Sequence, residues 1–246
     1  MASLTPSRPS QEPLMGFPFL KPDEFDYGCR VLCDRFHAWQ ISSSDTGLSI
    51  RFVHQQVTSD SMLKISRHIE NIGVHGEENA LVYEPENLQE LQLEDDSEHD
   101  PETLIRAIEP NASLQVDYDI ALSPTYQVPV LYFTLRWINH KGPVLGIDVV
   151  YQYLVPDEYR KQLKSVGIIG GISFDYHPIT GAPTFFVHPC NTADAMRHIA
   201  GGQDVTPETY LVIWLGLVGH CVGLHMPSEL FATEAGARTT ERLGQQ

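Results

Sequence analysis

Apolar residues recur along this chain with two different periods, and the switches between them lay out an order of elements. From Asp23 onward Phe25, Cys29, Leu32, Cys33 and Phe36 fall at steps of three and four, the spacing of one helical face, with Arg30, Asp34 and Arg35 turned outward. Behind the turn signal Asp45-Thr46-Gly47, the run Leu48-Ser49-Ile50-Arg51-Phe52-Val53 alternates and predicts a strand. The clearest alternation is Leu114, Val116, Tyr118, Ile120 and Leu122 against Gln115, Asp117 and Asp119, a strand with one wet face. After Ser123-Pro124-Thr125, the run Val128 to Trp137 places Leu131, Phe133, Leu135 and Trp137 on one side. These two strands are expected to pair antiparallel, the second ending at Asn139-His140-Lys141-Gly142-Pro143.

The later part of the chain reads differently. Asp148 to Lys164 carries no single period and is expected to be helical in part, with a break at Pro156. Gly170-Gly171 leads into a strand over Ile172 to Tyr176, a turn at Pro178-Ile179-Thr180-Gly181, and a β-prone run Thr184-Phe185-Phe186-Val187. Asn191 or Thr192 can cap a helix opening Ala193-Asp194-Ala195-Met196. A last helix starts at the cap Thr206 with Pro207 in its first position, and Tyr210, Trp214, Leu217 and Cys221 form its apolar stripe. Strands in the middle, helices before and after, and hairpin links predict an α+β fold: an antiparallel sheet flanked by helices.

Composition and charge narrow what such a domain does. Over 246 residues, 42% apolar side chains suffice for a real core. The formal charge is −16, which repels a phosphate backbone and argues against nucleic acid as a partner. Most of the excess is local: Glu77 to Glu109 holds twelve acids against Arg106 alone, a net −11. That stretch, about residues 75–110, reads as a disordered, solvated insertion into a single domain over 23–230. Residues 1–22, rich in Pro and Ser, read as a flexible leader, and 231–246 as a polar tail. No basic region followed by a long apolar core marks a secretory signal, and the best apolar run, Tyr210 to Val218, is about half of the roughly 20 residues a bilayer crossing needs. A cytoplasmic, reducing compartment is therefore expected, with the four cysteines as thiols.

The candidate chemistry centres on Cys190. It follows His188 and Pro189 at the end of a β-prone run and precedes a helix start, where first-turn amides and the helix dipole favour a thiolate. The alternative is a buried structural thiol. Cys29, Cys33 and His37, at i, i+4 and i+8, could set three zinc ligands along one helix, but both cysteines lie on the apolar stripe of Phe25 and Leu32. A zinc deaminase needs H-x-E followed by P-C-x-x-C; His68-Ile69-Glu70 and Pro189-Cys190 are present, but position 193 is Ala193. A thiol hydrolase with Cys190 as nucleophile and a distant histidine as base stays open, as does a non-catalytic binding module. His188 is a poor base for its neighbour, because Pro189 stiffens the link between them.

Three separated motifs occur together in order: Ser123-Pro124-Thr125-Tyr126-Gln127-Val128-Pro129-Val130-Leu131-Tyr132-Phe133, then Phe185-Phe186-Val187-His188-Pro189-Cys190-Asn191-Thr192, then Trp214-Leu215-Gly216-Leu217-Val218-Gly219 with Val222-Gly223-Leu224. Over roughly residues 114 to 230 the chain thereby resembles the autophagy-related protein 10 family, ubiquitin-like-modifier conjugating enzymes distantly related to the ubiquitin-conjugating enzymes. The resemblance implies a conjugating-enzyme-like fold in which Cys190 accepts autophagy-related protein 12 as a thioester from the activating enzyme, autophagy-related protein 7, and passes it to a lysine of autophagy-related protein 5. It implies neither metal nor cofactor, and recruitment to the site of autophagosome formation. Ordinary ubiquitin-conjugating enzymes place an asparagine after the His-Pro pair, some residues before the cysteine, whereas here His188-Pro189 abuts Cys190. The oxyanion donor is therefore sought among the helix amides after Cys190, the Asn191 side chain and Tyr126, for which the alternative is a packing role on an edge strand. His188 is expected to orient the loop.

Overall fold

Two strands that alternate over most of their length form the spine of the molecule. In the computed structural model, which describes residues 12–42, 47–55, 60–69, 113–138, 143–164 and 171–231, they are β3 (Leu114–Leu122) and β4 (Pro129–Trp137). They pair antiparallel as the alternation predicts, with Tyr118 opposite Phe133 and Ile120 opposite Leu131. Around them a seven-stranded sheet is completed by β1 (Leu48–His54), β2 (Ser61–Ile69), β5 (Pro143–Val144), β6 (Ile172–Tyr176) and β7 (Pro183–Val187). The order is β1-β2-β3-β4-β7-β6, and β5 pairs with β4 beside β7. Every pairing is antiparallel.

Neither the short strand β5 nor strand β2 is foreseen by the sequence pattern, and β2 shows why. Leu63, Ile65 and Ile69 keep the inward alternation, but Arg67 stands where an apolar residue belongs. The reason lies across the core. Arg67 Nη1 donates to the carbonyl of Gly223, and the buried Tyr118 hydroxyl donates to that of Val222 at 2.8 Å. Two polar groups on the sheet's inner face thus satisfy carbonyls left open at the end of the last helical segment. The charge of Arg67 broke the pattern because its partner lies 156 residues away.

Among the described residues five α-helices complete the fold: α1 (Pro22–Ser42), α2 (Ile147–Tyr153), α3 (Asp157–Lys164), α4 (Thr192–Ala200) and α5 (Pro207–Trp214). The break at Pro156 separates α2 from α3 as expected. On α1 the stripe Phe25, Cys29, Leu32, Cys33 and Phe36 is buried, and the helix packs on α5 and on β1 and β2. Gly28 permits that approach, because a Cβ there would lie 2.7 Å from the Pro207 carbonyl oxygen. Helix α5 begins with the expected cap: Thr206 accepts from the Thr209 amide, and Thr209 Oγ1 accepts from the Thr206 amide at 2.8 Å. Beyond Trp214 the chain widens into a π-type segment over Leu215–Gly219 before a tight turn at His220–Val222.

Residues 12–21, expected within the flexible leader, are instead held to the domain. Leu14 donates to the Val205 carbonyl and Leu20 to that of Gln127, and both side chains are buried. Burial of Leu14 and Leu20 overrides the Pro/Ser-rich composition around them. Residues 1–11, the acidic insertion and the tail beyond residue 231 lie outside the described residues. Among the described residues no helix is long and apolar enough to cross a membrane.

Candidate functional site

Strand β7 delivers the His188-Pro189-Cys190 turn, and its neighbours fix where that turn sits. Phe185 stacks on Phe133 of β4 with ring centroids 5.7 Å apart, and the buried Thr184 hydroxyl donates to the Phe133 carbonyl at 3.0 Å. On the other edge β6 pairs with β7, and just before it the Gly171 carbonyl accepts the His188 amide at 3.0 Å. The strand therefore ends in a defined place. Pro189 is buried, and Pro189–Asn191 makes a single 3-10 turn that runs into α4.

This turn has a cap of its own, separate from the one expected for α4. Asn191 occupies the position before α4, yet its side chain makes no capping bond there. Instead His188 Nδ1 accepts the Cys190 amide at 3.2 Å, one turn earlier. Proline explains the shift: Pro189 has no N–H, so the first free donor of the turn is that of Cys190. With its Nδ1 lone pair used in this way, the neutral ring carries its proton on Nε2. The nitrogen nearest the Cys190 backbone thus orients the loop and is not free to accept a proton from the thiol.

Of the four cysteines, Cys190 alone is exposed. Burial pushes the Cys29 thiol well up, with Cys33 and Asp26 adding to the effect, and lifts Cys33 and Cys221 to about 11. Those three remain protonated core thiols. Cys29 and Cys33 face the core while His37 is exposed, so the three do not converge. His68 sits on β2 opposite Gln115, on a different element from Cys190.

Tyr126 joins the site from the β3–β4 connection. It lies in a turn rather than on an edge strand. Ser123 builds that turn: its carbonyl accepts the Gln127 amide at 2.8 Å, its amide donates to Val128, and its hydroxyl accepts the Tyr126 amide at 3.2 Å. Gln127 takes a φ of 54°, a left-handed conformation that closes the turn. The Tyr126 ring stays 40% exposed and meets His188 edge-on, centroids 5.7 Å apart at 80°. On the other side Phe186 lies 6.1 Å from the same imidazole. His188 is thus held between Tyr126 and Phe186 and bonded to Cys190.

Ser123 and Phe186 were not singled out from sequence. Phe186 left a trace, since a residue two before His188 in a strand projects to the same side. What the turn offers chemically is an exposed thiol at the start of a nine-residue helix, a loop fixed by an imidazole, and a phenol beside it. First-turn amides near such a thiol favour negative charge, both on the sulfur and on an oxyanion formed there.

The chain matches the family described as autophagocytosis associated protein, active-site domain, over residues 24–229. It is similar to proteins named ubiquitin-like-conjugating enzyme ATG10 from three distant organisms. With that of Gibberella zeae it is 46% identical over 142 residues, 58% of this chain and 59% of that protein. With the human protein it is 33% identical over 116 residues, 46% of this chain and 51% of the relative. With that of Arabidopsis thaliana it is 32% identical over 143 residues, 56% and 61% of the two chains. The matched segments span between about half and three fifths of these relatives' own length.

Proposed function

Because the chain belongs to the autophagocytosis-associated, active-site-domain family, we propose that it is a conjugating enzyme for a ubiquitin-like modifier in autophagy and that Cys190 carries the modifier as a thioester. The reading rests above all on the exposure of Cys190, alone among four cysteines, in a fixed turn at the start of α4. The donor would be an activating enzyme, autophagy-related protein 7, holding the C-terminal glycine of autophagy-related protein 12 as its own thioester. The Cys190 thiolate attacks the carbonyl carbon, a new C–S bond forms, and the bond to the activating enzyme's sulfur breaks as that thiolate leaves. A lysine amine of autophagy-related protein 5 then attacks the same carbonyl, loses a proton and releases Cys190 as a thiol. The product is an isopeptide bond.

Both steps exchange one activated acyl bond for another of similar or lower energy, so the enzyme's part is positioning and oxyanion stabilisation. The amides opening α4, the Asn191 side chain and the Tyr126 hydroxyl are the donors we assign to the oxyanion. His188 is the positioning residue, since its Nδ1 already holds the Cys190 amide. The cytoplasm is the compartment in which we expect it to act.

Incubation of the protein with the activating enzyme, the modifier and ATP is expected to give an adduct that disappears on reduction. Adding autophagy-related protein 5 should discharge it into a reductant-resistant conjugate. Cys190→Ala is expected to form no adduct. An adduct that persists in that variant, or its absence from the wild-type protein, would refute the assignment.

A further inference from the structure

The sheet face turned away from the helices carries a second concave site, built from residues that the Cys190 turn does not use. It is a cavity of about 420 Å³ whose wall includes Arg51 of β1, Lys64 of β2, Asp119 of β3, Tyr132 of β4, and His177 and Thr180 of the β6–β7 turn. His177 is the unusual member, being only 3% exposed. Its Nδ1 accepts the backbone amides of Ile179 and Thr180 at 3.1 and 3.2 Å. The neutral ring must then carry its proton on Nε2. That N–H has no hydrogen-bond partner among the described residues, and Asp119 Oδ2 stands 3.7 Å away. A buried donor without an acceptor is costly, and native folds seldom tolerate one without a reason.

The carboxylates nearby are already engaged. Asp119 takes Lys64 Nζ on both oxygens, at 2.8 and 2.7 Å. Asp117 accepts from Ser66, Gln115 and Arg136. Arg51, opposite Lys64 on the neighbouring strand, meets no carboxylate among the described residues. Three cations thus line the cavity against two carboxylates, a local excess of one positive charge in a chain of −16. The hydrogen-bonding capacity still open is mainly donor: His177 Nε2–H, the Arg51 guanidinium and the third Lys64 proton. The Tyr132 ring, 4.6 Å from that of His177, adds an aromatic wall. The volume falls in the range of metabolite-sized ligands, roughly 300–1,000 Å³.

We propose that this cavity binds a small oxyanion, a phosphate ester or a polycarboxylate, one oxygen of which accepts the His177 Nε2–H while Arg51 and Lys64 balance its charge. The donor-rich wall selects for an acceptor, and the local cation excess selects for a negative one. The site stands apart from the thioester chemistry, so binding is measured without activating enzyme or modifier.

The test follows the Nε2–H resonance of His177 in protein labelled with ¹⁵N-histidine, titrated with inorganic phosphate or citrate against sodium chloride of equal ionic strength. A saturable shift with phosphate or citrate, absent with chloride, is expected, and it should need at least fivefold more ligand in Arg51→Gln. Tighter binding of phosphate assigns the ester class, and tighter binding of citrate the carboxylate class. A shift no larger than that of chloride would mean that the cavity holds only water. A saturable shift unchanged in Arg51→Gln would mean that the anion binds elsewhere. Either result overturns the proposal. Arg51 is exposed on strand β1, so its replacement leaves the core intact.

Discussion

Two histidines bracket β7, and the same ring atom does the same task in each. At His177 the Nδ1 lone pair accepts two amides of the β6–β7 turn, and at His188 it accepts the amide of Cys190. The surroundings differ. His177 is sealed beneath Tyr132 with its second nitrogen unpartnered, whereas His188 is half-buried between Tyr126 and Phe186 beside an exposed thiol. One local device therefore serves both a packed turn and one that carries an exposed thiol. What distinguishes them is the material around the ring: His177 lines the cavity on the outer sheet face, and His188 stands beside an exposed cysteine.

That contrast can be broken most strongly at His188. His188→Ala removes the acceptor that holds the Cys190 amide, and transfer from the Cys190 thioester is expected to fall by about tenfold to a hundredfold, since small misplacements at a reacting centre cost that much. His188→Asn, whose side-chain oxygen can accept the same amide, should recover most of the rate. Single-turnover discharge of a preformed thioester measures this. Equal losses in both variants would mean that the imidazole is needed for more than orientation.

At His177 the expected effect is on stability. His177→Ala strips the acceptor from the Ile179 and Thr180 amides and opens space under Tyr132, and should cost about 2 kcal/mol. Urea unfolding reads this directly, while transfer from Cys190 should stay within about twofold of wild type. A loss of transfer comparable to that of His188→Ala, in protein that is still folded, would erase the distinction between the two turns.

The pH dependence sharpens the same point. Burial lowers the folded-state pKa of His177 below its usual 6.5; nearby Asp119 opposes the shift and Lys64 adds to it. The unfolded chain then binds the proton more readily. The contribution of His177 to stability is complete above about pH 6.5 and is lost as pH falls toward its lowered folded value. His177→Gln should therefore flatten the stability profile just below pH 6.5. An unchanged slope in that variant would show that the ring is not held neutral by burial.

The smallest effect belongs to Tyr126. Tyr126→Phe keeps the edge contact with His188 but removes the hydroxyl, and a fall of less than about threefold in transfer would assign the residue a packing role. A loss of tenfold or more would place the hydroxyl on the oxyanion, since a single donor there is worth about that or more.

Much of the architecture was legible before any coordinates. The alternation of β3 holds from Leu114 to Ile120, because one face is dry there and the other partly wet, and it lapses only at the buried Ala121 and half-buried Leu122. The start of α5 was equally plain, since Thr206, Pro207 and Thr209 act on one another within a single turn. The place of Cys190 between a strand end and a helix start was legible, but a buried thiol fitted that place equally well, and its exposure is decided by the fold. Strand β2 was hidden because Arg67 answers to Gly223 and not to its neighbours in sequence. The capping of the Cys190 turn by His188 was not foreseen because histidine is not among the usual capping residues, and only the absence of an N–H at Pro189 makes it one here.

Local interactions thus wrote most of the elements and their order into the chain itself, because periodicity, caps and turns depend on residues a few positions apart. The meeting of Tyr126 with His188, the closure of His177 over Asp119 and the bond from Arg67 to Gly223 arise when the sheet brings distant strands together. Such contacts leave no local trace, since their free energy comes from burial and pairing that exist only once the strands are in register.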